Sequence, residues 1–416
     1  MRKLILTVLT LFVSENAFTQ STFVANYDEN KVGSYTLPNP LQKADGALVQ
    51  TPSEWKKQRV HLLQLLSDNE YGILPTAKIP VSYKILETNE NALSGKAIRK
   101  RIELNFSNKH TAEMVLYVPK NVLKPAVFVG LNFCGNHCVT VETDVPIPTK
   151  WMIDFKDGTV VNNRATEKGR ADQASRWQLD YVIGQGFAVA TAYYGDFEPD
   201  HREGWQDGVR GILTKELSIK PEQWSAIGAW AWGLSRMMDY LQTEPLVNPQ
   251  KVIITGHSRL GKGALWAAAN DERFAAVISN NSGEGGTSLA RRNYGETVGR
   301  ITSTFPHWFV PKFSTYASDP NQLPTDQHTL LSLIAPRPLY IASAEDDQWA
   351  DPKGEFLGAF HAQPAYALFK KEGLGVAELP AVNHPVGKTI RYHVRTGGHD
   401  ITAYDWEQYV KFAKEL

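Results

Sequence analysis

Short, uniformly apolar runs recur along the chain and alternate with stretches of helical pattern. The runs that read as strands span residues 126–131, 187–192, 252–255, 275–279, 339–342 and 389–394. Strands buried on both faces of a parallel sheet have this continuous hydrophobic character. Helices are predicted between them, notably over 222–243 and 406–414. This alternation predicts one doubly wound α/β domain, a three-layer αβα sandwich around a mostly parallel sheet.

The part of the chain before residue 126 has a different pattern. A capped amphipathic helix is predicted over 53–66. Alternating apolar and polar residues follow at 81–86, 98–106 and 114–118. This alternation is typical of antiparallel strands. Two longer polar stretches, near 135–175 and 285–325, are predicted to be insertions over the carboxyl ends of the parallel strands. Ligands bind on that side of such sheets.

The first 20 residues have the organisation of a secretory signal peptide. Met1, Arg2 and Lys3 supply positive charge, and residues 4–13 form an apolar core of the usual signal length. We therefore expect a signal peptide over 1–20 and one catalytic domain over 21–416, exported to the periplasm or the medium of a bacterium. No later apolar run approaches the length of about 18 residues that predicts a membrane span. We expect no membrane partner after signal removal.

Composition narrows the range of partners. The 416 residues contain 44 basic and 44 acidic side chains, so no charge excess favours a nucleic-acid partner. We expect a monomer that binds its substrate through local contacts. Cys134 and Cys138 are the only cysteines, and in an oxidising compartment they could pair. With His137 they resemble part of a metal site, but the spacing fits no standard zinc motif. We expect neither a metal nor a cofactor.

The chemistry is concentrated around Ser258. Residues 256–262 read Gly-His-Ser-Arg-Leu-Gly-Lys, directly between an apolar run and a helical stretch. A serine flanked by glycines at a strand-to-helix turn is typical of a nucleophile elbow. The second glycine, Gly261, comes one residue later than in the usual Gly-x-Ser-x-Gly pattern, and Leu260 takes its place. The pattern predicts an ester or amide hydrolase with Ser258 as nucleophile.

A serine nucleophile needs a histidine base, and α/β-hydrolases carry it on a loop after a late strand. His399 follows Gly397 and Gly398 directly after the strand predicted at 389–394. We predict His399 as the base. His393 within that strand, His384 in a proline-flanked loop and His257 beside the serine are the alternatives.

The acid of the triad is predicted after the strand at 339–342. Four carboxylates follow it closely: Glu345, Asp346, Asp347 and Asp351. We favour Asp347, because the neighbouring Trp349 would partly exclude water and strengthen a charge-assisted bond to the histidine.

Several motifs together resemble one family. Residues 258–262 (Ser-Arg-Leu-Gly-Lys) resemble the signature of the glucuronoyl esterases, carbohydrate esterase family fifteen. The resemblance extends to residues 132–137, 282–286, 349–352 and 397–399. It implies an α/β-hydrolase fold and hydrolysis, without a cofactor, of the ester between 4-O-methyl-glucuronic acid of glucuronoxylan and alcohols of lignin.

The resemblance also implies roles for particular residues. Arg259 would help to form the oxyanion hole through its backbone N–H and its guanidinium. The residues that would bind the sugar are Lys262, Glu296 and Trp349. Fungal members carry the triad acid as a glutamate at the position of Asn281, which cannot supply the charge. This agrees with the separate choice of Asp347, and Glu284 is the remaining competitor.

Other functions compete with this interpretation. The same scaffold would suit an acetyl-xylan esterase, another carbohydrate esterase or a peptidase. From a different class, the chain could be a non-catalytic relative that only binds carbohydrate. The presence of Ser258, His399 and the acidic loop disfavours the non-catalytic alternative.

Overall fold

The computed structural model describes residues 23–416 and contains a ten-stranded sheet with a separate two-stranded hairpin. The strands are β1 (Val81–Asn91), β2 (Ala97–Phe106), β3 (His110–Pro119), β4 (Val127–Asn132), β5 (Val160–Val161), β6 (Arg164–Ala165), β7 (Ala188–Tyr193), β8 (Val252–His257), β9 (Ala276–Asn280), β10 (Leu339–Ala344), β11 (Val386–Gly387) and β12 (Ile390–Arg395). The predicted signal peptide at 1–20 lies outside the described residues.

Helices connect and cover the strands. They are α1 (Pro52–Leu66), α2 (Ala92–Gly95), α3 (Ala174–Trp177), α4 (Leu179–Gly184), α5 (Val209–Ile212), α6 (Thr214–Leu217), α7 (Ala226–Leu241), α8 (Arg259–Asn270), α9 (Val298–Thr304), α10 (Gln327–Ser332), α11 (Pro352–Ala367) and α12 (Ala403–Ala413). None of these helices, which lie within residues 23–416, has both the length and the apolar character needed to cross a membrane.

The strands lie in the order β1-β2-β3-β7-β4-β8-β9-β10-β12-β11. Strands β7, β4, β8, β9, β10 and β12 are mutually parallel, whereas β1, β2 and β3 pair antiparallel at one end. Every strand predicted from the hydrophobic pattern is present in this sheet. The prediction of a mostly parallel sheet with an antiparallel start is confirmed.

Alternating side chains of the parallel strands divide the core into two layers of packing. On one face of β4, Val127 and Val129 join a cluster that includes α7, α8 and α11. On the other face, Phe128 packs with Trp406 and residues of α4 and α12. Apolar side chains on both faces of each strand require a helix layer on each side. The result is the predicted three-layer αβα sandwich.

The parallel strands bring their carboxyl ends to one edge of the sheet. Two long connections start there, at residues 133–187 after β4 and 281–338 after β9. The first is linked to β2 by the buried Arg99, which contacts Glu142 and Asp144 at 2.7 and 2.6 Å. The predicted insertions fall within these two connections. Their assignment as insertions into one catalytic domain stays a prediction.

Candidate active site

Ser258 occupies the sharp turn between β8 and α8. Its backbone has φ 55° and ψ −131°, a strained conformation for a residue other than glycine. A Cβ at Gly256 would lie 2.2 Å from the Leu260 carbonyl oxygen, so the turn requires glycine there. A Cβ at Gly261 would lie 3.0 Å from atoms of Ser279 and Ser282. The second glycine of the elbow is therefore needed at position 261, where α8 packs against Ser279 of β9 and Ser282 of the loop that follows.

The start of α8 points its positive end at the Ser258 hydroxyl. The first N–H groups of an α-helix have no acceptor inside the helix, and they carry the positive end of its dipole. In this chain they begin with Arg259, directly after the serine. A negative oxygen that develops beside Ser258 would meet these donors.

His399 and Asp347 form the charged pair beside this turn. His399 Nδ1 lies 2.6 Å from Asp347 Oδ2, and Asn281 Nδ2 donates to the same oxygen at 2.7 Å. The Asp347 side chain is 4% exposed and that of His399 is 42% exposed. The Asp347 side chain is thus buried beneath the loop after β10, while the imidazole on the loop after β12 is exposed to solvent. This arrangement orients the other ring nitrogen for proton transfer.

The competing carboxylates lie elsewhere. Asp346 is exposed, and Glu345 is half-buried on the same loop. Asp351 is buried in an ion pair with Arg292 at 2.7 Å. Burial raises the pKa of Glu284 far above its usual range, and the nearby charges of Asp326 and Glu70 raise it further. Within the described residues, Asp347 is the carboxylate that hydrogen-bonds to His399.

The competing histidines have structural contacts. His393 is buried between the Tyr340 hydroxyl and Asp405, each at 2.9 Å. His384 is exposed and contacts the backbone of its own loop. His257 is buried with Nδ1 2.6 Å from Asn280 Oδ1, and its ring centroid lies 4.5 Å from that of His399. Burial, and then the charge of His399, hold the pKa of His257 well below its usual range.

Ser258 directly follows His257, one of these two packed imidazoles, in the chain. Within residues 23–416 no hydrogen bond joins Ser258 Oγ to His399. Catalytic hydrogen bonds of this kind are often long without substrate and tighten in the substrate complex. The geometry therefore places a strained serine and a histidine–aspartate pair on loops at the same edge of the sheet, where the His257–His399 contact joins them.

Arg259 is held by an aspartate that the sequence analysis did not identify. Its guanidinium donates to Asp200 Oδ2 and lies 4.6 Å from the ring centroid of Trp308. The Tyr194 hydroxyl donates to the same Asp200 oxygen at 3.0 Å. The other oxygen accepts from His307 Nε2 at 2.8 Å and Trp308 Nε1 at 2.7 Å. Three other donors thus hold the Asp200 carboxylate that positions Arg259.

This environment keeps Asp200 ionised. Burial raises its pKa, but the bond from His307 and the charge of Arg259 outweigh burial and lower the pKa below its usual range. One signal in the sequence pointed to this residue. Asp200 follows the carboxyl end of the buried strand β7, the same kind of position that identified Asp347 and His399. Its partners, however, come from distant segments.

Lys262 and Glu296 lie near the elbow, and the charge of each affects the pKa of the other. Lys262 is buried one turn into α8, and its ammonium donates to the Ser282 carbonyl. Burial lowers the pKa of Lys262, while the charges of Glu296 and Glu284 oppose that shift. Burial raises the pKa of Glu296, and the charge of Lys262 opposes it. The Glu296 N–H donates to the Trp349 carbonyl at 2.9 Å, so two of the three predicted sugar-binding residues are in direct contact.

Cys134 and Cys138 are joined in a disulfide bond. Both cysteines of the possible metal site with His137 are therefore in the disulfide form. In the part of the chain that the structure describes, no group of three His, Cys, Asp or Glu side chains is arranged to hold a metal ion.

The mostly parallel sheet, the elbow at Ser258 and the acid and histidine on later loops define the α/β-hydrolase class. Similarity to known proteins identifies the family within this class. Residues 216–370 match the family model described as "Glucuronyl esterase, fungi". A 4-O-methyl-glucuronoyl methylesterase from Phanerochaete carnosa is 37% identical over 82% of this chain and 73% of its own length.

Solved structures agree with this result. A glucuronoyl esterase from Solibacter usitatus is 44% identical, with a TM-score of 0.87 over 93% of this chain and 99% of that one. A structure described as a promiscuous CE15 esterase from a marine bacterial metagenome is 42% identical, with a TM-score of 0.88 over 94% and 99%. The chain belongs to the glucuronoyl esterases, carbohydrate esterase family 15, and is a carboxylic ester hydrolase.

Proposed function

We propose that this chain hydrolyses the ester between 4-O-methyl-D-glucuronic acid of glucuronoxylan and alcohols of lignin. The observation that carries the proposal is the 2.6 Å bond between His399 and the buried Asp347, on loops beside the strained Ser258. The relative from Phanerochaete carnosa bears the name of this activity and covers most of the chain. The neutral composition is compatible with an esterified uronate, which carries no charge.

In the proposed reaction, Ser258 Oγ attacks the ester carbonyl carbon while His399 takes the hydroxyl proton. Asp347 stabilises the imidazolium that forms. The tetrahedral intermediate collapses, the bond to the alcohol oxygen breaks, and His399 gives its proton to the leaving alcohol. Water then attacks the acyl-enzyme with His399 as base, which releases the uronic acid and restores Ser258.

The oxyanion of the intermediate is proposed to lie between the first N–H groups of α8 and the Arg259 guanidinium. The contact with Asp200 holds Arg259 in place before the substrate arrives, so little reorganisation is needed during the reaction. Loss of one such donor typically lowers the rate by about 100- to 1,000-fold. Lys262 and Glu296 are proposed to bind the sugar hydroxyls, and Trp349 is proposed to pack against the ring.

Kinetics with three substrate classes test the proposal. We expect kcat/KM for benzyl glucuronate to exceed that for an acetylated xylo-oligosaccharide and for a peptide ester. Preference for either of the latter would refute the uronate specificity. Ser258→Ala should abolish turnover of all esters while leaving the fold intact by circular dichroism. Full activity in that variant would refute the nucleophile.

A broader esterase activity is the second candidate. The relative described as promiscuous, at 42% identity, supports measuring acetyl esters alongside glucuronate esters. Comparable kcat/KM for both classes would favour this candidate.

Export to the periplasm or the medium, with the protein acting as a monomer, is part of the proposal. The charged and apolar pattern of residues 1–20 and the disulfide between Cys134 and Cys138 support an oxidising destination. Mass spectrometry of the protein from the culture medium and the periplasm should find a first residue between 18 and 21. Recovery of intact Met1 from both fractions would contradict processing.

A further inference from the structure

The segment of residues 23–29, here called the N-terminal strap, exposes an unusual amount of apolar surface beside the candidate site. Phe23, Val24 and Tyr27 are 41%, 83% and 51% exposed. Three large apolar side chains within five residues form a patch of the kind that marks a binding surface. No side chain of residues 23–29 is fully buried. A role in the hydrophobic core therefore does not account for the apolar side chains of the strap.

The strap is nevertheless fixed to the protein. The Gly295 N–H donates to the Asn26 carbonyl at 2.8 Å. Glu29 forms ion pairs with Arg292 and with Lys353, the latter at 2.7 Å. Burial raises the pKa of Glu29, but the bonds from Lys353 and Arg292 outweigh it and lower the pKa. The exposed side chains thus belong to a segment that is held to the protein at Asn26 and Glu29.

The strap is continuous with the proposed sugar-binding residues. Its attachment point Gly295 immediately precedes Glu296 in the chain. The Phe23 ring meets the Trp349 ring edge to face, with centroids 6.1 Å apart. The Arg300 guanidinium lies 5.4 Å from the centroid of the Phe23 ring. Trp349, Phe23 and Arg300 therefore form a continuous row of contacts beside Glu296.

We propose that this row is a subsite for the saccharide chain that carries the uronate, with Phe23 as its aromatic platform. The proposal rests on the proposed function above. In a polysaccharide substrate, the chain that carries the uronate extends outward from the bound sugar. The row adjoins Glu296 and Trp349, the proposed sugar-binding residues, so this chain would run across it. Aromatic rings pack against the flat apolar faces of pyranoses, and the Arg300 guanidinium supplies donors for hydroxyl groups.

The position of the strap favours a saccharide, and not an aromatic alcohol, as the group that binds to the row. In the proposed reaction the leaving alcohol faces His399, which protonates it. The strap contacts the segments around Tyr294, Glu296 and Trp349, on the sugar side of the site. An aromatic leaving group would need a platform on the opposite side.

The test compares two esters of the same acid. One is the methyl ester of free 4-O-methyl-glucuronic acid, and the other is the methyl ester of that acid carried on a xylo-oligosaccharide. We expect Phe23→Ala to lower the ratio of kcat/KM for the oligosaccharide ester over the simple ester by about five- to tenfold, mainly through KM. Phe23→Trp, which keeps an aromatic ring at this position, should keep the wild-type ratio. Val24→Ala, which shortens an exposed side chain of the same strap outside the row, is the matched control and should keep the wild-type ratio.

Three results would overturn the subsite. Equal losses on both esters would mean that Phe23 only supports Trp349, and no loss on either would remove it from binding. A loss confined to a third ester, the benzyl ester of free 4-O-methyl-glucuronic acid, would assign the row to the alcohol instead. Failure of the proposed function would look different, because the wild-type protein would then turn over neither uronate ester.

Discussion

At the scale of single residues, the role of each carboxylate follows from its contacts. Asp346 and Asp347 are neighbours of the same chemical type, yet one is exposed and the other is buried against His399. The Asn281 amide supplies a second donor to Asp347. Because two donors meet one carboxylate oxygen, its position relative to the imidazole is fixed. The hydrogen bond to His399 distinguishes Asp347 from the solvated Asp346, although the two residues are neighbours in the chain.

Replacement of the proposed triad acid should therefore have a large effect. We expect Asp347→Asn to lower kcat by about 10⁴-fold, since an amide at this position favours the wrong imidazole tautomer. Asp346→Asn is the matched control and should keep kcat within about twofold. Glu284→Gln should also lose far less activity than Asp347→Asn. Comparable losses in all three variants would leave the acid unassigned.

Asn281 offers a test through the pH profile of kcat/KM. Asn281→Asp would place a second carboxylate about 2.7 Å from Asp347. The added negative charge favours the protonated imidazole of His399, so the ascending limb should move to higher pH by about one unit. Asn281→Ala removes the donor without adding charge, and it should lower kcat with little movement of the limb. An unchanged profile in both variants would show that Asn281 does not position the acid.

At the scale of elements, the boundaries of the helices depend on capping groups that the hydrophobic pattern does not detect. The pattern predicted a helix over 222–243, whereas α7 spans Ala226–Leu241. Ser225 ends the preceding turn and caps α7, because its side chain accepts the Gly228 N–H at 3.0 Å. A proline turn at Pro221–Gln223 occupies the residues where the pattern had begun the helix.

The elbow should be sensitive to one added methyl group at Gly256, whereas Gly263, further along α8, should tolerate one. Gly256→Ala would bring a Cβ to 2.2 Å from the Leu260 carbonyl oxygen. We expect it to destabilise the protein by about 1–3 kcal/mol and to lower kcat, because relief of this contact displaces Ser258. Chemical denaturation combined with kinetics would measure both effects. Wild-type stability and kcat would contradict this view of the turn.

Gly263→Ala is the control within the same helix. A Cβ there would meet its nearest atom, on Trp230, at an ordinary 3.8 Å. Alanine in a helix is favoured over glycine by about 0.5–1 kcal/mol, so this variant should be slightly stabilised with unchanged kcat.

At the scale of the whole molecule, burial of carboxyl groups links stability to pH. Burial raises the pKa of Glu70 to about 8, and that of Glu355 and of Asp196 to about 7. These groups are protonated in the folded protein at pH values where the unfolded chain has lost the proton. Their contribution to stability is therefore greatest below about pH 4.5 and is lost as the pH rises towards 7–8. Buried histidines have lowered pKa values and act in the opposite direction below about pH 6.5.

The free energy of unfolding should thus decrease between about pH 6.5 and 8. Glu70→Gln should reduce the magnitude of this slope by up to about 1.4 kcal/mol per pH unit, because the amide keeps an acceptor for Gln327 and does not titrate. Urea denaturation across this range measures the slope. Glu90→Gln, which alters an exposed carboxylate, should leave it unchanged. A slope insensitive to Glu70→Gln would mean that this carboxyl does not titrate differently in the two states.

Much of the fold and part of the candidate site could be predicted from the chain alone. The strands were detected because burial on both faces leaves a continuous apolar run. Ser258 and His399 were detected because elbow and loop glycines mark local backbone geometry. Asp200 was missed, since its carboxylate was one of many after strands and its partners Arg259, His307 and Trp308 lie far along the chain.

The sequence by itself determined the periodic burial, the strand-to-helix turn at Ser258 and the family, because these depend on neighbouring residues and local backbone preferences. Only the tertiary structure decided which carboxylate meets His399 and which one holds Arg259. These pairs are separated by 52 and 59 positions in the chain. Their contacts exist because the order of the parallel strands brings distant loops to one edge, and local sequence does not encode that order.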